Sequence, residues 1–398
     1  MPSIERDSGQ HESRSHTPDA LFPMTSVLLR AQNSGLTAMA VATIVCSLNL
    51  NAARADPWII DTDMGSDDWI AILYAAGKLK GDLKAITVVG NGLSHCPAGR
   101  DNASGLLQMI NTRTTIPIGC GGENPLDGYA SFPQHWRQGS DAMMGQSLPS
   151  SSQETRVADL ESSALFAQVL RQSETSISVL TIGAMSNLAK VLIREPRLKG
   201  KIKEVVAMAG AVDVAGNLRV HNFTDDNPNA KAEWNLYIDP TAARIVFESG
   251  IPIRLVSLDV ANTIPLTKPF VQRFRRETGG QAADAVANWF GQLLKPELGE
   301  YYHWDPLAAV IALNPGLCTD IQVRKLRVIA DPDPDPDAKP YEGFSKQPLL
   351  NWKGQSRRVL NRLTAGGLVP DQNGKPVHIC MKVDFAAFEA KLIEGFQQ

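Results

Sequence analysis

The chain has 398 residues, of which 43% are hydrophobic and 20% charged, ample apolar material for a large core in one α/β domain or two smaller ones. Its formal net charge is −3, and it has no basic block and no alternation of aromatic and basic residues. That composition excludes the electrostatic footprint of a nucleic-acid polymer binder and favours a small-molecule partner.

In chain order, Met1 to about Phe22 is polar and aperiodic. Arg30 then precedes an apolar stretch, Leu36 to Leu48, which is followed by Ala53-Arg54-Ala55 and Asp56. A charged region, an apolar region and a small-x-small site in that order predict a secretory signal, too short for a comfortable transmembrane helix. The expectation is an exported protein, periplasmic or secreted, cleaved after Ala55, with no stable membrane span in the mature chain. Residues 1–55 are then leader plus signal, and 56–398 the folded domain. The polar leader is unusual, so Met24 is an alternative start, and a disordered tail or an uncleaved anchor are the other readings of this segment.

The next segment carries the strongest chemical signal. Pro57-Trp58-Ile59-Ile60 reads as an apolar strand, and Asp61-Thr62-Asp63-Met64-Gly65-Ser66-Asp67-Asp68 places four carboxylates and a glycine between it and an apolar helix. Carboxylates this close raise one another's pKa, so a fold retains them where a cation or a substrate's hydroxyls offset the charge. Hard oxygen ligands suit calcium or magnesium rather than zinc. Capping of the helix start accounts for Asp67 and Asp68 but not for Asp61 and Asp63.

Beyond it, Lys84–Gly90, Ile177–Gly183, Glu204–Met208 and Ile253–Asp259 read as strands. Ile70–Leu79, Asn102–Asn111, Val157–Gln172, Asn187–Arg194, Pro240–Ser249 and Pro306–Leu313 read as helices. This alternation predicts a single α/β domain with a mostly parallel, Rossmann-like sheet flanked by helices and a site at the C-terminal strand ends. Polar residues fall at those ends: the acidic run, Asn91, Ile182-Gly183 and Met208 to Gly210. The biased run Asp331 to Asp337, alternating Asp and Pro, predicts an extended surface loop, with calcium binding there a weak alternative. His378–Val383 and Phe385–Phe396 read as a closing strand and helix. Cys46 would leave with the signal. Cys96, Cys120, Cys318 and Cys380 show no C-x-x-C spacing and are expected as buried free thiols, one disulfide being open to them in an oxidising compartment.

Several segments line up with the acidic run: Ile182-Gly183-Ala184-Met185-Ser186-Asn187, Met208 to Asn217, Ala232-Glu233-Trp234-Asn235, Asp239-Pro240 and Trp304-Asp305-Pro306. In this order and spacing, from about Trp58 to Leu313, the chain resembles the nucleoside hydrolase family. The resemblance implies an N-ribohydrolase in which a calcium-bound water attacks the anomeric carbon of a nucleoside. Asp63 would be general base and calcium ligand, with Asp68, Asp305 and the main-chain carbonyl of Ile182 completing the metal set. Asp67 would bind the ribose hydroxyls, with Asn217, Glu233 and Asn235 around the 3′ and 5′ oxygens, Asn91 nearby and Met208 packing on the sugar.

Where one branch of the family has a histidine before the last aspartate, this chain has Trp304, and His303 one residue earlier would point elsewhere. Phe132-Pro133-Gln134-His135-Trp136-Arg137, Asn262-Thr263-Ile264-Pro265 and Tyr301-Tyr302 are similar to the purine-specific inosine-adenosine-guanosine branch. That likeness implies a purine stacked between Trp136 and Trp304, beside Tyr301, each face contributing about 0.5–1.5 kcal/mol beyond area burial. It allows for a homodimer or homotetramer. Ala209 and Met64 depart from the pattern, and Leu218–Lys231 is longer than the corresponding loop, as a lid or a solvated insertion would be. Competing readings are an exported nucleoside- or ribose-binding protein without turnover, a broader N-ribohydrolase, and a magnesium phosphohydrolase built on Asp61 and Asp63.

Overall fold

The computed structural model describes residues 56–110, 115–149, 157–339 and 350–397, and the expected leader and signal lie outside them. Ten strands form one sheet: β1 (Trp58–Thr62), β2 (Leu83–Val88), β3 (Ile118–Cys120), β4 (Val157–Glu161), β5 (Ile177–Ile182), β6 (Ile202–Met208), β7 (Ile253–Val256), β8 (Cys318–Val328), β9 (Leu368–Pro370) and β10 (Lys375–Val383). Their order is β4-β3-β2-β1-β5-β6-β7-β10-β8-β9. All neighbours are parallel up to the β7–β10 pair, and β8 then runs antiparallel to both β10 and β9.

Among the described residues, twelve α-helices accompany the strands. They are α1 (Ser66–Leu79), α2 (Cys96–Met109), α3 (Gln134–Asp141), α4 (Ser162–Gln172), α5 (Ser186–Arg194), α6 (Trp234–Ile238), α7 (Pro240–Glu248), α8 (Leu258–Ala261), α9 (Lys268–Glu277), α10 (Gln281–Leu293), α11 (Trp304–Leu313) and α12 (Phe385–Glu394). No helix among the described residues is long and apolar enough to cross a membrane.

Strand β1 shows why the sheet is covered on both faces. Successive side chains point to opposite sides, so Ile60 packs into the layer of α1, α2 and α11, while Ile59 packs into the layer of α4, α5 and α7. Both isoleucines are fully buried, each contributing about 1.5–3 kcal/mol. Chain growth runs outward from β1 through β2, β3 and β4, then reverses to β5 on its other side. The crevice beyond the ends of β1 and β5 is therefore the topological switch point, where open α/β sheets bind ligands. The register sets Thr62 opposite Ile182 there, so the acidic loop leaves the sheet beside the end of β5.

Several expectations change. Val157–Glu161 is a strand, and the helix expected from 157 begins at Ser162, because the segment pairs along β3 at the sheet edge. Strand β7 stops at Val256, where Ser257 turns the chain into α8. Strands β3, β8 and β9 and helices α3, α6, α8, α9 and α10 have no counterpart in the sequence reading. The four cysteines are not free thiols: Cys96 pairs with Cys120 and Cys318 with Cys380, their Cα atoms 5.4 and 5.6 Å apart. Parallel packing brings the start of α2 onto β3, and antiparallel pairing lays Cys318 beside β10; neither proximity is visible in the cysteine spacing.

The Asp-Pro loop is not a free acidic site either. Asp331 pairs with Arg244 (3.2 Å) and Arg327 (3.1 Å), and Asp333 and Asp335 pair with Arg362. Beyond it, residues 350–367 form a strap. Buried Arg357 donates to Leu350 O, Gly128 O and Asn124 Oδ1, Arg358 pairs with Asp127, and Asn229 donates to Ala365 O at 2.8 Å.

Both disulfides should be closed in the purified protein, so alkylation under denaturing, non-reducing conditions should leave all four cysteines unmodified by mass spectrometry. Replacing Cys318 and Cys380 together by Ala should lower unfolding free energy by about 2–4 kcal/mol in a urea titration.

Candidate active site

Helices α1 and α11 pack side by side and start at the same place. Asp67 and Asp68 lie in the first turn of α1 and Asp305 in the first turn of α11, where the helix dipole favours negative charge. This juxtaposition carries Asp305 across more than half the chain to the acidic loop. Carboxylate oxygens of Asp67, Asp68 and Asp305 lie within 4.8 Å of one another, and Asp305 N donates to Asp67 Oδ2 at 3.4 Å. Asp63 closes the group, sharing a side-chain hydrogen bond with Asp68.

All four carboxyls are buried. Burial and then mutual repulsion push Asp63 and Asp305 well above the ordinary carboxylate range, and burial followed by the charge of Asp68 raises Asp67 to about 7. Asp68 is raised by burial, against hydrogen bonds that favour its charged form. It does the most structural work: Oδ2 accepts Gly65 N at 2.9 Å, Oδ1 accepts Asp63 N at 3.2 Å and Met64 N at 3.3 Å, and the Thr62 hydroxyl also bonds it. The capping and the charged-site readings of Asp68 thus hold together. Met64 sits at φ 62° with its side chain fully buried, which explains why glycine would suit this position. Left-handed strain costs about 1–2 kcal/mol, less than the roughly 2–5 kcal/mol typical of truncating a buried methionine to alanine.

Asp63 is confined by backbone on two sides. A Cβ added at Gly92 would overlap the Asp63 side chain, and one at Gly183 would lie 2.7 Å from Asp63 N and 2.8 Å from its Cβ. Ser94 N donates to Asp63 O at 2.9 Å, while Asp63 Oδ2 is buried without a hydrogen-bond partner. By contrast, Asp61 is turned away, its Oδ1 occupied by Thr87 Oγ1 (2.6 Å) and Asn187 Nδ2 (2.8 Å), and burial raises it to about 7. That removes the pair of carboxylates a phosphohydrolase of the Asp61–Asp63 kind would need.

A second polar group forms at the ends of β6 and the start of α6. Glu233 caps α6, with Oδ-equivalent oxygens Oε1 and Oε2 accepting Asn235 N (2.8 Å), Leu236 N (3.3 Å) and Gly210 N (2.9 Å). Burial lifts its pKa to about 7. Asn235 Nδ2 donates to Met208 O at 3.0 Å and lies 3.7 Å from Met208 Sδ, and Asn217 Oδ1 accepts Trp234 N at 3.2 Å. These bonds leave the Asn217 amide nitrogen to donate and the Asn235 carbonyl to accept, two complementary partners for sugar hydroxyls. Asn91 donates to Ser186 Oγ at 3.1 Å, and Ser186 donates to Asp239 Oδ2 at 2.7 Å. Ser186 and Asp239 stood inside the quoted motifs, but only the fold shows that they orient Asn91.

The aromatic residues divide between two places. Trp136, on α3, packs with Trp234 (centroids 5.6 Å), Phe223 (5.8 Å) and His135 (6.0 Å). Trp304 opens α11 beside Tyr301 (4.8 Å), its Nε1 donating to Asn262 Oδ1 at 2.9 Å. Tyr301 is tied to the acidic group, its hydroxyl 3.2 Å from Asp67 Oδ1 and 2.9 Å from Ser66 Oγ. His303 points elsewhere, as its position implied: it is buried edge-on among Phe270, Phe290 and Phe388, and Nε2 has no partner. The Leu218–Lys231 loop is neither free nor merely solvated, since Leu218, Thr224, Asn227 and Asn229 are buried and Phe223 reaches Trp136. Its signal was the Asx-rich Asp225 to Asn229 run, which folds on its own backbone through Asn227 and Asn229.

Oxygen-only donors, an orphaned buried Asp63 oxygen and no cationic side chain paired with these four acids among the described residues fit a hard divalent cation.

A family model described as inosine-uridine preferring nucleoside hydrolase matches residues 58–390. The pyrimidine-specific ribonucleoside hydrolase RihA of Escherichia coli O1:K1 is 32% identical over 275 residues, 67% of this chain and 82% of that protein. Among solved structures, an inosine-uridine preferring nucleoside hydrolase from Bacillus anthracis superposes with TM-score 0.63 at 20% identity, over 86% of this chain and 99% of its own. A purine-preferring ribonucleoside hydrolase from Gardnerella vaginalis gives 0.61 at 22%, over 85% and 98%.

The caged imidazole makes a pH test. Burial lowers the His303 pKa from 6.5 to about 3, so the unfolded chain takes up a proton below 6.5 that the folded chain refuses. This group's contribution to stability is complete above 6.5 and declines as pH falls towards 3. His303→Phe should remove that decline, and between about pH 6.5 and pH 5 its unfolding free energy should gain about 2 kcal/mol on wild type in urea titrations.

Proposed function

The chain belongs to the inosine-uridine preferring nucleoside hydrolase family and is an N-glycosyl hydrolase acting on nucleosides, and from that premise we propose that it is a calcium-dependent hydrolase of purine ribonucleosides. The observation that carries this reading is the meeting of Asp63, Asp67, Asp68 and Asp305 in one buried cluster between Tyr301 and the Gly92–Ser94 backbone.

Asp63, Asp68, Asp305 and the Ile182 carbonyl would hold the cation, which when bound neutralises the cluster and acidifies a water. Asp63 takes the proton of the attacking water with its unpartnered oxygen. The water oxygen bonds to the anomeric carbon as the glycosidic bond breaks through an oxocarbenium-like state, and the base leaves with the bonding electrons. Asp67, braced by Tyr301, accepts from ribose hydroxyls, while Asn217, Glu233 and Asn235 fix the 3′ and 5′ oxygens, with Asn91 and Met208 lining the sugar.

Leaving-group help comes from the indoles in this reading. His303 is uncharged and enclosed by phenylalanines, so no imidazole faces the base from α11. Trp136 and Trp304, each held by its own neighbours, would be the two walls of a stacking site, which suits a purine's larger and more basic ring. The pyrimidine specificity of RihA points the other way, so relative turnover of inosine against uridine and cytidine decides the base preference. Two disulfides, stable in oxidising surroundings, support export, as does the signal-like N-terminal sequence.

Asp63→Ala should lower turnover by about 10²–10⁴ or more, followed as hypoxanthine release from inosine; unchanged release ends the assignment of Asp63, whereas no release by the wild type with calcium favours a binding protein. Chelation should abolish activity and calcium restore it, with calcium at 100 times its Kd adding about 2.7 kcal/mol of stability in thermal melts. Trp304→Ala should damage inosine hydrolysis far more than that of a riboside with an activated phenolic leaving group, and equal losses would assign Trp304 to structure.

A further inference from the structure

Arg137 is a buried cation whose direct partners are backbone carbonyls, while the carboxylates of Glu123, Asp141 and Asp63 act on it from beyond ion-pair distance. It lies on α3 directly after Trp136, is 8% exposed, and makes no ion pair among the described residues. Its guanidinium instead donates through Nη2 to Gly90 O at 2.7 Å and to Ser94 O at 3.3 Å, and its Nε is buried without a partner. Burying a guanidinium without a direct ion pair costs free energy that the more distant acids offset only in part, so its place calls for a compensating role.

The two carbonyls it holds are the ends of the segment that walls in Asp63. Between them, Gly92 lies against the Asp63 side chain too closely for any Cβ, Leu93 packs on Gly65, and Ser94 N donates to Asp63 O. A shift of residues 90–94 therefore moves the group that takes the proton. The same side chain is fixed at the root of Trp136, so the nucleobase wall and the general base share one anchor.

We propose that Arg137 is a positioning residue for hydrolysis: by clamping the carbonyls of Gly90 and Ser94 it fixes the loop that holds Asp63 in line with the anomeric carbon, and ties that loop to the stacking wall carrying Trp136. This rests on the reading of Asp63 as general base. A misplacement on the ångström scale at a reacting group costs up to about 100-fold, and it falls on turnover rather than on ground-state binding.

The test compares Arg137→Gln and Arg137→Lys with wild type on inosine and on the activated phenolic riboside, in saturating calcium and below each variant's melting temperature. Arg137→Gln should lose about 10- to 100-fold in kcat on both substrates with KM changed by less than about threefold. Arg137→Lys keeps the charge and one of the two bonds, and should lose less, about 3- to 10-fold. A clamp with only a structural role would lower the melting temperature and leave kcat intact. Turnover within about twofold of wild type in folded Arg137→Gln overturns the proposal, and if that variant does not fold, the same result for Arg137→Lys overturns it. Full activity in Asp63→Ala would sink the general-base reading itself, whereas an inactive Asp63→Ala beside a fully active Arg137→Gln sinks only the clamp.

Discussion

Four buried carboxyls that repel one another at the meeting of two helix starts are the constraint from which the rest of this structure follows. No lysine or arginine pairs with Asp63, Asp67, Asp68 or Asp305 among the described residues, so the cluster is held by geometry, not by counter-charge. The packing of α1 against α11 brings the residues together, and the dipoles of both helices, with the backbone amides around Asp68, supply the partial positive charge that the site lacks in side chains. Such an arrangement is unfavourable to fold without compensating charge, and that is the physical ground for the cation proposed here.

The surroundings of that cluster are shaped to keep its members from relaxing apart. Asp68 is bound to three backbone amides and a hydroxyl, Tyr301 holds Asp67, and Gly92 and Gly183 leave Asp63 no lateral room. Met64 accepts a left-handed backbone to keep its side chain in the core, and Trp69 Nε1 closes the loop by donating to Met64 O at 2.9 Å. Asn217 and Asn235, proposed for the sugar, are fixed in the same manner, each with one side-chain amide atom bonded to backbone.

Much of this was readable from the chain. The acidic run after an apolar strand, Ile182-Gly183 at a strand end and Asp305 at a helix start all fell where the sheet needs them, since strand-helix alternation fixes where strand ends lie. What the sequence could not show were contacts made across the fold by residues without local pattern. The cysteines pair through sheet packing, β8 alternates polar and apolar residues only in part, and Asp61 still lies within β1, on the Ile59 side and bonded to Thr87 and Asn187, whereas the chain has left the strand before it reaches Asp63. Arg137 is a further case: in the sequence it is only the last residue of the Phe132–Arg137 segment, and its two main-chain partners distinguish it.

The strap of residues 350–367 braces two regions that the chain keeps far apart. Through Arg357, Arg358 and Leu360 it grips the 124–129 turn leading to Phe132 and Trp136, and through Ala365 and Gly366 it abuts Asn229 and Tyr237. A substitution in this peripheral stretch therefore disturbs the Trp136 loop and the segments around Asn229 and Tyr237 together, without standing among the carboxylates itself.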